Sequence, residues 1–366
     1  MPKITLHELK TISEHNSYHG WPTIISLDNN ELIVVCSAGR ERHVCPFGQV
    51  HLLRSSDKGK TWSQPEVLIN SPLDDRDAGI LQTSKGTILV NWFTSLAWLK
   101  RLKKAEKEGR DVLEEMGDGF VSRCKKIQAI IKEKGINEST GPWIIRSEDG
   151  GNTFSNKIDC KVGSPHGPIE LNDGRLLYVG LPRSKEKEVS PYASANPAIA
   201  VSEDDGYSWE KIAEIPRRSD DNIDTYKEPH AVQTRGGRII VHIRNHSQQD
   251  RGYILQSESE DGGKTFSVPH NIGLYGFPAH LLCLQDGRLV TTYGYRKTPY
   301  GNRVSISEDE GETWSEPLIL NEKTEKRDLG YPATAELSNG NLISVWYEKL
   351  PGDKLAGIQM AKWSII

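Results

Sequence analysis

The pattern Ser-x-Asp-x-Gly-x-Thr-Trp occurs five times in this chain with small variations. Its copies start at Ser55, Ser147, Ser202, Ser259 and Ser307 and end at Trp62, Phe154, Trp209, Phe266 and Trp314. The chemistry is that of a tight turn between strands. The Asp accepts local backbone N–H groups, the Gly supplies a positive φ, and the Thr-aromatic pair re-enters a strand with its ring inward. Five copies in 366 residues make this a repeat array rather than a string of unrelated domains.

A second pattern alternates with the first. Six strand–turn–strand units run over Pro22–Val35, Ala78–Trp92, Pro168–Gly180, Pro229–Arg244, Pro278–Tyr293 and Pro332–Tyr347. Apolar residues alternate on both sides of turns such as Asn172-Asp173-Gly174-Arg175. A period of roughly 50 residues then holds four strands per unit, which predicts an all-β, six-bladed β-propeller over residues 1–366 as one domain. The sixth unit lacks the octapeptide. Its third strand is expected near Ile358–Trp363 and its outer strand at Ile4–Glu8, which ties the two ends together and leaves no free sheet edge.

One segment breaks the period, a helical insertion in blade 2 at about 96–138. Trp98, Leu102 and Ala105 fall at helical spacing, as do Phe120, Cys124, Ile127 and Ile131. It is either a solvated helical hairpin packed on the rim or a lid or dimer contact.

Hydrophobic residues make up 36% of the chain and Gly adds 33 residues, an ordinary globular composition. Lys and Arg number 46 against 50 Asp and Glu, a net charge of −4, so nothing points to nucleic acid. No apolar run is long enough to span a membrane. The first residues lack the apolar stretch of a secretion signal, so a cytoplasmic location is expected unless a leader has been trimmed. The five cysteines are few, odd in number and without metal-ligand spacing, which fits free thiols.

Propeller geometry sorts the remaining residues. One face should collect the starts of first strands and the loops after second strands. The octapeptides lie on the opposite face and are structural despite their carboxylates. The first set holds His19-Gly20-Trp21, Asp74 to Asp77, His166, Glu228, His230, His280 and Tyr331; the second holds Arg40, Arg42, His43, Arg244, Tyr295, Arg296 and Arg303. Several Arg around one pocket are costly unless an anion neutralises them, and Arg binds carboxylates in bidentate fashion, so an anionic ligand is expected. The three carboxylates of Asp74–Asp77 could hold a hard cation, but Arg76 among them favours an internal ion pair. No metal site and no organic cofactor are expected.

The octapeptides resemble the Asp boxes of the sialidase-like, BNR-repeat propellers, and the resemblance covers essentially the whole chain except the insertion. It implies an exo-glycoside hydrolase acting on a carboxylate-bearing sugar such as sialic acid. That family uses an arginine triad on the substrate carboxylate, a Tyr nucleophile paired with a Glu, and an Asp acid/base. By matching segments, the resemblance implies Tyr331 as nucleophile, Glu228 as its partner, and Arg244 and Arg303 as second and third arginines. Gly20 stands where the family has its first Arg, and Arg40, Arg42 or Arg76 would replace it. The loop Ser37–Gly48 holds no Asp, and His43, Asp75 or Asp77 would supply the acid. His166, His230, His280 and Tyr295 are further candidates for substrate contact. Two other readings stay open. One is a lyase on uronic-acid-containing glycans, using His43, His166, His230 or His280 with Tyr331 and Arg244. The other is a glycan-binding propeller without catalysis. In each the partner is an acidic oligosaccharide or glycoconjugate; the oligomeric state is left open.

Overall fold

Alternation along the second strand of each unit sets the architecture. In β3 (Leu32–Arg40), Leu32, Val34 and Cys36 pack toward one neighbouring sheet, while Ile33 and Val35 pack toward the other. A strand apolar on both faces must lie between two sheets. The computed structural model describes residues 2–13, 16–109, 117–134, 140–184, 192, 194–349, 352 and 355–366. Within them, six sheets each meet two neighbours through such clusters and form a six-bladed β-propeller.

Blade 1 is β2 (Tyr18–Ser26), β3, β4 (Gln49–Ser55) and β5 (Glu66–Ile69); blade 2 is β6 (Asp74–Gln82), β7 (Ile88–Ser95), β8 (Gly141–Ser147) and β9 (Ile158–Asp159). Blade 3 has a broken first strand, β10 (Val162–Gly163) and β11 (Ile169–Glu170), both paired with β12 (Leu176–Pro182), followed by β13 (Ala198–Ser202) and β14 (Glu210–Glu214). Pro165 and Pro168 flank the break, and neither has an N–H for the ladder. Blade 4 is β15 (Tyr226–Gln233), β16 (Ile239–Asn245), β17 (Tyr253–Ser259) and β18 (His270–Tyr275); blade 5 is β19 (Ala279–Cys283), β20 (Leu289–Tyr295), β21 (Tyr300–Ser307) and β22 (Leu318–Thr324). Blade 6 joins β23 (Leu329–Glu336), β24 (Leu342–Lys349) and β25 (Ala356–Ile365) to the N-terminal β1 (Ile4–Thr11), in register from Ile4↔Ile365 to Thr11↔Gln359. The expected closure is therefore present, three residues longer than Ile4–Glu8.

The five octapeptides join third to fourth strands and share one bonding scheme. Ser55 Oγ donates to Asp57 and accepts from Gly59 N, and Asp57 accepts from the Thr61 N–H and hydroxyl. The same bonds recur at Ser147, Ser202, Ser259 and Ser307.

The insertion provides α1 (Ala97–Glu108) and α2 (Asp118–Lys134). Trp98, Leu102, Phe120 and Cys124 pack with Val44, Cys45 and Leu73, so the helices sit on the blade 1 rim loop. Arg123 grips Glu41, and the Arg42 guanidinium lies 3.9 Å from the Phe120 ring centre. Residues 110–116 and 135–138 of the expected insertion lie outside the described residues.

Candidate functional site

Four first strands carry the same irregularity. The ladder is interrupted between Gly20 and Thr23, Arg76 and Gly79, Lys227 and His230, and Gly330 and Ala333. At each interruption one non-glycine residue takes positive φ: Trp21 at 53°, Asp77 at 51°, Glu228 at 46° and Tyr331 at 53°. Side chains avoid this region, and residues held in it concentrate at functional sites. The bulge re-aims each side chain out of the strand's alternation. Trp21, Glu228 and Tyr331 each precede a Pro, which is a sequence signal for the position.

Tyr331 and Glu228 meet. The Tyr331 hydroxyl donates to Glu228 Oε1 at 2.7 Å, and Arg244 Nη1 donates to Glu228 Oε2 at 2.6 Å and to the Tyr331 oxygen at 3.1 Å. Burial pushes the Tyr331 phenol well above its ordinary range, and the Glu228 charge adds to that. Burial also pushes Glu228 up, but Arg244, the Tyr331 hydroxyl and Arg296 outweigh it and hold the carboxyl below its usual range. The resting pair is thus a neutral phenol donating to a carboxylate.

Asp77 and Arg76 face this pair. Burial pushes Asp77 up to about 6, against the pull of Arg76 and with the Glu228 charge adding. Arg76 pairs with Asp77 at 3.4 Å and Asp74 at 3.8 Å and stacks 4.4 Å over Trp21. The Asp74–Asp77 run therefore makes internal ion pairs. Among the described residues no group of three His, Cys, Asp or Glu is placed to hold a metal ion.

Trp21 is buried between cations. Arg40 lies 5.1 Å from its ring on another approach, and its ring meets Tyr347 at 5.6 Å and Tyr331 at 6.2 Å. A Cβ on Gly20 would stand 3.2 Å from Tyr18. Aromatic rings therefore fill the space where the family's first Arg would project.

His43 lies at the rim. Its Nδ1 is 3.0 Å from Asp328 Oδ1, and Tyr18 and Tyr347 also donate to that carboxylate. Its ring meets Trp21 edge-on at 4.9 Å. Burial lowers the His43 pKa, although Asp328 partly restores it. Arg42 stays on the insertion side, over Phe120.

The remaining expected site residues are placed elsewhere. Asp75 turns into blade 2, accepting from Ser71 and from Trp92 Nε1, and burial pushes it up to about 7. The Arg40 side chain is wholly buried, bonded to Asp74 and the His43 carbonyl, with no face left for a ligand. Arg303 was expected at the mouth, but it donates to the Asn302 and Asn321 carbonyls and stacks on Tyr295 at 4.6 Å, so it and Tyr295 stay in blade 5. Arg296, at the end of β20, takes that place, 5.9 Å over the Tyr331 ring and 4.9 Å over Phe277. His166, His230 and His280 meet on the propeller axis with ring centres 4.6–5.5 Å apart. They line a cavity of about 440 Å³ with Asp28, Glu170 and Glu336, at the turn-bearing end of the tunnel. They are axial groups, not part of the Tyr331 mouth.

A propeller of six four-stranded blades with five Asp boxes and a Tyr–Glu–Arg cluster defines a sialidase-like BNR-repeat protein. The family model for the BNR repeat-like domain matches residues 125–343, and the chain belongs to that family. No curated protein matches it in sequence. A protein of unknown function from Dyadobacter fermentans is similar over 100% of both chains, with 21% identity and a TM-score of 0.78. The Hadza microbial sialidase Hz136 is 18% identical, with a TM-score of 0.65, over 97% of this chain and 68% of its own. The intramolecular trans-sialidase from Ruminococcus gnavus is 13% identical, with a TM-score of 0.64, over 100% of this chain and 97% of its own. At these identities the likeness is one of fold.

Proposed function

We propose that the protein is an exo-acting glycoside hydrolase for a carboxylate-bearing sugar, with Tyr331 as nucleophile. The observation that carries this is the 2.7 Å bond from the Tyr331 hydroxyl to Glu228, with Arg244 held against both. Arg244 and Arg296 bind the sugar carboxylate, with Arg76 across the mouth in place of the absent first arginine. A carboxylate nucleophile would be repelled by that substrate charge, whereas a phenol stays neutral until it reacts. Glu228 takes the phenolic proton as Tyr331 Oη bonds to the anomeric carbon, and Arg244 stabilises the oxygen as it gains charge. Asp77, protonated up to about pH 6, gives its proton to the departing glycosidic oxygen as that bond breaks. Water then adds to the anomeric carbon, Asp77 takes a proton from it, and Tyr331 leaves with the proton returned by Glu228. The placement of three candidate histidines on the axis removes most of the base set that a lyase would use.

The test is turnover of aryl glycosides and oligosaccharides of sialic and uronic acids. Tyr331→Phe should fall to background, and Glu228→Gln should lose about 10²–10⁴-fold in kcat. Undiminished turnover in either variant, or an unsaturated product, defeats this reading.

A further inference from the structure

Arg244, Arg296 and Arg76 already serve one carboxylate, and the mouth holds more arginines than these. On its blade 4–6 side a cavity of about 340 Å³ is lined by Arg244, Arg251, Phe277, Arg296, Arg327 and Asp328. Four arginines line it, Arg251 and Arg327 among the exposed residues, in a chain whose net charge is −4. The nearby acids are already engaged. Glu228 accepts from Tyr331 and Arg244, and Asp328 accepts from Tyr18, His43 and Tyr347 with Lys349 at 3.7 Å. Arg296 donates to the Leu329 carbonyl. His246 accepts the Arg244 Nε–H at 2.8 Å, and burial together with Arg244 holds its pKa down to about 4, so it is neutral and adds no charge of its own. Among the described residues no carboxylate forms an ion pair with Arg251 or Arg327. The adjoining cavity reverses sign: Asp220, Asp221 and Asp224 line it and Arg251 stands at the boundary.

We propose that the substrate carries a second anionic group, a sulfate ester or a second carboxylate, which Arg251 and Arg327 bind beside the clamped carboxylate. This rests on the reading of the mouth as the site for an acidic sugar. Like-charged groups lining one cavity repel one another, and an anion held between them relieves that repulsion. The acidic wall beyond Arg251 limits the charge accepted in that direction to this one group.

The experiment is calorimetric binding to the full chain at low and moderate salt. The probes are glucuronic acid, its 2-sulfate, and digalacturonic acid against galacturonic acid. At least one dianion should bind about tenfold or more tighter than its monoanion, with a steeper loss in salt. The Arg251→Ala/Arg327→Ala variant should lose that gain. A gain for the sulfate alone assigns a sulfate ester, and one for the disaccharide alone assigns a second acidic sugar. Equal affinities, no binding by any probe, or a gain that survives in the double variant overturns the proposal. Since the readout is binding, failure of the Tyr331 mechanism would show separately, as turnover unaffected by Tyr331→Phe.

Discussion

Asp77, buried, and Glu228, half-buried, are carboxyl groups with opposite displacements, one held up at about 6 and the other held below its usual range. Such a split separates an acid from a base. The acid must be protonated and the base ionised, so kcat/KM should rise as Glu228 ionises and fall as pH passes about 6. An Asp77→Asn variant should lose the alkaline limb. It should also lose about 10²–10⁴-fold on substrates with poor leaving groups and far less on activated aryl glycosides, which need no proton. An unchanged alkaline limb in that variant would move the acid role to His43, whose Nδ1 is held by Asp328 while its ring edge stays partly open.

The bulged first strand and the Asp box are the two elements on which the site and the ring depend. In the box after β13, Ser202 is buried, with its hydroxyl accepting from the Gly206 N–H and donating to Asp204. Ser202→Ala should cost about 1–3 kcal/mol, because it leaves a buried N–H without a partner. Thermal unfolding would measure this, and activity per folded molecule should not change. Both elements were legible in the sequence because their chemistry is local: a Ser-x-Asp-x-Gly turn bonds within itself, and a Gly-centred hairpin fixes its own pairing. Tyr331, Glu228, Arg244, Arg76 and Asp77 were legible for the same reason, sitting at recognisable ends of predicted strands. Arg303 was named as third arginine by resemblance, while Arg296 is the one that lies over Tyr331; the two flank one loop, and only strand register decides which faces the mouth. His230 misled in a different way. It lies two residues beyond Glu228, and a strand advances about 3.3 Å per residue, which carries it from the mouth down the tunnel. Trp21 was read among the starts of first strands but given no role, because only its positive φ marks it as a wall of the site.

At the scale of the whole molecule, three buried imidazoles staple blades across the axis. His230 Nδ1 accepts from Leu281 N in blade 5 at 3.0 Å, His280 Nδ1 faces Thr334 N in blade 6 at 3.4 Å, and His166 Nδ1 lies 3.4 Å from the Thr23 hydroxyl in blade 1. Burial lowers all three pKa values, His280 to about 3. The unfolded chain binds protons near 6.5, above the folded values. The stability these groups contribute is therefore complete above that pH and declines as pH falls toward about 3. Melting temperature should drop steeply between pH 6.5 and 4, and His280→Phe should flatten that slope. The ring also depends on its closing strand. Removing residues 2–11 should lower the melting temperature by about 5 °C or more. It should also promote self-association in light scattering, because β25 would then present a bare edge.

That closing strand has a consequence for how the protein is made. His7 and Ser364, bonded across the seam, are 357 residues apart. A ribosome releases β1 before the blades between and its partner after them, so the first strand waits through the synthesis of the whole ring with nothing to pair with. Contacts between such distant stretches are slow to form and leave folding intermediates open to aggregation. Tyr331 belongs to the same last-formed blade, so a truncated nascent chain would carry Glu228 and Arg244 without the phenol that they activate.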